Sequence, residues 1–220
     1  MSACTCALEL FGIFLSIIAW LCSLATTLMP QWKTKSTELL LKESYETGLW
    51  ENCVMHEGGS MECRPYDGVL GLPSDIKLAQ MFMCMALATG ILAVLLPIPG
   101  LQVIKCCMGQ EEGCHAKKVM KMIGGIFSLL SAVEVLIPVS YIAHETITEF
   151  FDESVSEQVA KWDLGHALFC GWAASFLHIV AGVLLVSSCY CLQMDVHPGA
   201  QKRHNVKAIA YSSKSTSEYV

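Results

Sequence analysis

The residues able to do chemistry in this chain are 12 cysteines, seven histidines and 20 carboxylates among 220 residues. Their spacing argues against catalysis. His56, His115, His144, His166, His178, His197 and His204 are scattered along the chain, and no serine, histidine and acid fall together on one expected face. There is no C-x-x-C redox pair, no Gly-rich phosphate loop and no H-E-x-x-H. Cys106, Cys107, Cys114 and His115 crowd together but lack the paired C-x-x-C knuckle of a zinc site. Neither an enzyme nor a metal or cofactor is expected.

The elements that must position these residues follow from composition. The chain is 54% hydrophobic and only 15% charged, against about a quarter charged in ordinary soluble domains. Apolar runs at 8–29, 78–104, 122–143 and 164–191 are each long enough to cross the roughly 30 Å hydrocarbon core as a helix. A lipid bilayer is therefore an expected partner. The segments between would be a 1–7 N-terminus, a first loop at 30–77, a second at 105–121, a third at 144–163 and a tail at 192–220. No basic residue precedes the first run and no small-residue cleavage site ends it, so a retained helix is expected rather than a leader peptide.

Basic residues set the orientation. Lys105, Lys117, Lys118 and Lys121, with Lys202, Arg203, Lys207 and Lys214, place the second loop and the tail, hence both termini, on the cytoplasmic side. The two outer loops hold 14 acidic residues against six basic ones. That acidic face excludes a nucleic-acid footprint.

Only Cys53 and Cys63 fall in an outer loop, where the compartment is oxidising, and one disulfide is expected, with free thiols the alternative. Cys106, Cys107, Cys189 and Cys191 lie at the cytoplasmic membrane surface, which suits S-palmitoylation or plain reduced thiols. Extended stretches from Gly48 to Met55 and from Ser60 to Tyr66, with Gly58 and Gly59 between, read as a β-hairpin that brings the two cysteines onto neighbouring strands. Pro73, Ser74 and Asp75 then signal the start of a helix.

Trp32, Gly48-Leu49-Trp50, Cys53 and Cys63 together resemble the W...GLW...C...C signature of the claudins, four-span proteins of tight junctions. Thr27 to Trp32, Leu136-Ile137-Pro138-Val139, Gly171-Trp172-Ala173-Ala174 and the terminal Tyr219-Val220 agree as well. The cysteine pattern alone also fits calcium-channel gamma subunits and epithelial membrane proteins, which leaves an auxiliary channel subunit or regulator as the second reading. The resemblance implies an all-α transmembrane fold, a left-handed four-helix bundle with a small extracellular antiparallel β-sheet. It also implies a plasma-membrane, tight-junction location and association with other claudin copies in cis and trans to form a paracellular barrier or pore.

Particular residues take expected roles from that resemblance. Leu49 and Trp50 would wedge the sheet onto the bundle. His56, Glu57, Glu62 and Arg64 would set charge selectivity, with mixed signs. Phe150 and Phe151, exposed in the third loop, would receive Val69 of a neighbouring copy; covering the bundle top is their plainer reading. Tyr219 and Val220 would add a strand to a PDZ scaffold domain. Three features depart from the family: only 15 residues separate Trp32 from Gly48, Asp152-Glu153 replaces an asparagine and a proline, and Glu134 stands mid-span. A carboxyl there must protonate or find polar partners, and Trp20, Thr89, Ser175 and His178 lie within reach by depth.

Overall fold

A computed structural model of the chain describes residues 3–37, 43–56, 59–68, 71–101, 111–151 and 161–188. Four helices long and apolar enough to cross a membrane form the body: α1 (Ala3–Leu28), α2 (Ser74–Leu95), α3 (Glu111–Phe150) and α4 (His166–Ser188). In lipid every backbone polar group must be satisfied within the chain, and an unbroken apolar run does that only as a helix. Between the helices lie β1 (Lys33–Thr37), β2 (Glu43–Thr47), β3 (Glu51–Met55), β4 (Met61–Pro65) and β5 (Asp163–Leu164). All pairs are antiparallel, in the order β4-β3-β2-β1-β5.

Two helix boundaries depart from the sequence expectation. The second apolar run reads as helical to 104, yet α2 stops at Leu95 and gives way to a short 3-10 turn, Ile98–Gly100. Pro97 and Pro99 have no N–H to continue the ladder. Conversely, α3 continues past 143 to Phe150. No Gly or Pro interrupts residues 144–150, and the Thr146 and Thr148 hydroxyls donate back to the carbonyls of Ile142 and His144. Lys161 Nζ donates to Phe150 O at 2.8 Å, placing a cation where the helix dipole is negative.

The apolar core centres on Trp32, Leu49, Met83, Val135, Val139 and Leu168, all at most 1% exposed. It lies at the sheet end of the bundle. Away from it the interior becomes polar. His178 is surrounded by the hydroxyls of Ser23, Ser131 and Ser128 at 3.3, 3.5 and 3.5 Å from its ring nitrogens. Ser23 and Ser131 already donate to the carbonyls of Ala19 and Ala86. Further down, Lys121 Nζ pairs with Glu9 Oε1 at 2.5 Å, and both side chains are buried. Glu9, Ser16 and Ser23 recur every seven residues, so α1 turns one polar stripe inward.

Candidate functional site

The site is the sheet and its mounting, beginning with two indoles. Trp32 is 1% exposed and donates Nε1–H to Thr26 O at 3.0 Å. Trp50 donates to the next carbonyl, Thr27 O, at 2.9 Å. The last turn of a helix has carbonyls without intrahelical partners, and here the first loop supplies the donors. Gly48, Leu49 and Trp50, expected as the start of a strand, instead form the bend between β2 and β3, closed by Gly48 N–H to Glu51 O. Gln80 Nε2 on α2 donates to Leu49 O at 2.6 Å, which ties the buried Leu49 to the bundle. From the other side Gly165 N–H reaches Trp32 O and Ala167 N–H reaches Gln31 O. A Cβ on Gly165 would collide with the Gln31 carbonyl.

Cys53 and Cys63 face each other across β3 and β4 and are disulfide-bonded, with Cα atoms 4.1 Å apart. Gly59, with φ +75°, makes the turn between the strands. Glu51 lies beside the two sulfurs, but sulfurs joined in a disulfide offer no thiolate to a metal. Register sets the opposite face: Asn52 pairs with Arg64 and Val54 with Glu62. There, with Tyr45, His56 and Tyr66, these residues border a hollow of about 550 Å³. Arg64 and Glu62 thus bring opposite charges to one concave surface. Burial pushes the Tyr66 phenol above its ordinary pKa, keeping it a donor to Gly48 O and Asn52 Oδ1, both at 3.0 Å.

Phe150 is the last residue of α3 and Phe151 forms the turn directly after it. Their rings meet edge to face at 5.4 Å, and Lys161 Nζ lies 5.4 Å from the Phe150 centroid. Phe151 is 73% exposed. With Ile147, Trp162 and Leu164 the two rings border a hollow of about 190 Å³.

The sequence that builds this site matches known proteins. The model of the PMP-22/EMP/MP20/Claudin family matches residues 6–185. Human claudin-4 is 31% identical over 97% of this chain and 98% of its own length. Rat claudin-3 is 32% identical over 83% and 82%, and mouse claudin-9 is 36% identical over 76% of each. The chain belongs to the claudin family.

Of the site residues expected from sequence in this claudin-family chain, Glu57, Val69, Cys106, Cys107, Cys189, Cys191, Tyr219 and Val220 lie outside the described residues, as do Asp152 and Glu153. Glu134 is 5% exposed and accepts a hydrogen bond from Thr89 Oγ1 at 2.5 Å. The spacing between Trp32 and Gly48, shorter than the family pattern, still leaves β1 and β2 at five residues each, as long as β3 and β4. Sequence reasoning passed over Gln80, Lys161 and the Glu9–Lys121 pair. Gln80 and Glu9 each interrupt an apolar helix, and that interruption was the available signal. Lys161 carried none.

Proposed function

We propose that this protein is a structural, non-enzymatic component of tight junctions, in which copies polymerise laterally and adhere between cells to form a paracellular barrier or ion-selective pore. The observation that carries the reading is the sheet bolted to the bundle by Trp32, Trp50 and Gln80. A platform held that firmly suits presentation to another molecule. Family membership supports the same reading. In this arrangement both termini are cytoplasmic and the sheet is extracellular. His56, Glu57, Glu62 and Arg64 set what passes, through the field that fixed charges create in a narrow space.

Laterally, the exposed Phe151 and its neighbour Phe150 receive Val69 of the next copy. Cys106, Cys107, Cys189 and Cys191 are palmitoylation candidates at the inner surface. Tyr219 and Val220 engage PDZ scaffolds, adding an edge strand whose carboxylate enters a backbone nest. Removing those two residues should abolish pull-down by scaffold PDZ domains and leave the bundle unchanged. Undiminished binding would refute that role.

Expression in junction-free cells tests the whole reading. Freeze-fracture should show continuous strands at cell contacts. Strands absent from contacts, together with altered currents of a co-expressed channel, would replace it with the channel-regulator reading.

A further inference from the structure

Two of the described free cysteines stand together inside the bundle. Cys22 on α1 and Cys170 on α4 are both half-buried. The Cys170 thiol donates to the Cys22 carbonyl at 3.7 Å, which sets the two residues side by side across the contact between α1 and α4. Close helix packing permits this. A Cβ added to Gly171, the next residue on α4, would come within 3.2 Å of Thr26 Cγ2, one turn above Cys22 on α1. Disulfides usually join Cα atoms about 4.4–6.8 Å apart, a separation that helices in such contact can supply.

We propose that Cys22 and Cys170 form an oxidisable pair, converted by a membrane hydroperoxide into an intramolecular disulfide that staples α1 to α4 directly beneath the sheet. Cys22 lies six positions before the end of α1 at Leu28, and Cys170 four positions after the start of α4 at His166. At about 1.5 Å per residue, both thiols lie within about 9 Å of the sheet end, at the depth of lipid acyl chains. Half-burial leaves one side of the pair open to that lipid. One thiol attacks the peroxide oxygen, breaking the O–O bond. The sulfur becomes a sulfenic acid, and its proton passes to the departing alkoxide to give an alcohol. The second thiol then attacks the sulfenic sulfur and expels water. Two electrons pass from the sulfurs to the peroxide, and the products are one disulfide, one alcohol and one water.

The location gives the bond a consequence. The Cys22 carbonyl also accepts the Thr26 hydroxyl at 2.9 Å, and Thr26 O holds the Trp32 indole. On the other helix, the residues just before Cys170 hold Gln31 and Trp32 through Ala167 and Gly165. A covalent link between the two supports limits how far they can separate, and so how far the sheet can lift.

Full-length protein in native membranes, treated with cumene hydroperoxide and quenched with N-ethylmaleimide, tests the proposal by peptide mapping. A Cys22–Cys170 linked peptide should appear, vanish with dithiothreitol and be absent in Cys170→Ser. Amide exchange at β1 and β5 should slow severalfold in oxidised wild type and stay unchanged in Cys22→Ser, which keeps a hydrogen-bonding side chain of similar size. Full alkylation of both thiols after peroxide, or their separate conversion to sulfinic or sulfonic acids, overturns the pairing. A linked peptide with unaltered exchange overturns the coupling to the sheet.

Discussion

Glu134 shows what a single carboxyl needs inside a bundle. Thr89 Oγ1 lies 2.5 Å from its Oε2 and also faces the carbonyls of Met85 and Ala86. Glutamine keeps the size and the hydrogen-bonding capacity, so Glu134→Gln should reach the cell surface as wild type does. Glu134→Lys places a cation in the same pocket and should be retained inside the cell; surface biotinylation distinguishes the two. The pair Glu9 and Lys121 is a sharper case, because both are buried and Glu9 Oε2 has no hydrogen-bond partner among the described residues. Breaking such a pair from one side typically costs about 3–5 kcal/mol, whereas removing both charges is often neutral. Lys121→Met alone should therefore lower the unfolding temperature in detergent strongly, and Glu9→Gln with Lys121→Met should recover most of the loss. Glu134 was visible in the sequence as a charge at mid-span. Lys121 was read as one of the loop lysines that set orientation, because its partner lies 112 residues away and no local pattern joins them.

At the scale of elements, the β3–β4 hairpin was the most legible part, since its two cysteines, strand-forming residues and glycine turn all point to one register. Cys53 opposite Cys63 is that register. A disulfide closing a short loop contributes on the order of 3 kcal/mol by restricting the unfolded ensemble. Cys53→Ser with Cys63→Ser should therefore speed amide exchange across β3 and β4 and abolish adhesion between cells, while α1 to α4 still insert. Unchanged exchange in the hairpin would show that strand pairing suffices without the bond. Elements governed by distant contacts were less legible. The two-residue β5 exists because Asp163 and Leu164 pair with Thr34 and Lys33, and nothing in so short a segment announces a strand. The end of α2 was legible in Pro97 and Pro99, but the continuing apolar run outweighed them. The extension of α3 depends partly on Lys161, which joins it from 11 positions further along the chain.

For the molecule as a whole, the question is which surface meets the next copy. Lipid covers the apolar sides of the helices, so their exposed side chains single out no contact. Phe151 differs, because it directly follows the end of α3, beyond the expected span, and is 73% exposed. Its neighbour Phe150 is held by Lys161 through both the carbonyl and the ring, and that clamp gives Phe151 a fixed base. An aromatic presented this way marks a contact more readily than a flexible loop residue would. Because Phe151 is mostly exposed, Phe151→Ser should change stability by no more than about 0.5 kcal/mol, the usual range for surface substitutions. Lateral association should suffer instead. Cells expressing Phe151→Ser should deliver as much protein to the surface as wild type, yet show short or missing strands by freeze-fracture. Phe150→Ser removes the clamped ring as well, so it should reduce both strand length and thermal stability. Continuous wild-type strands in Phe151→Ser cells would take the end of α3 out of the lateral contact and leave the concave face of the sheet as the surface to test.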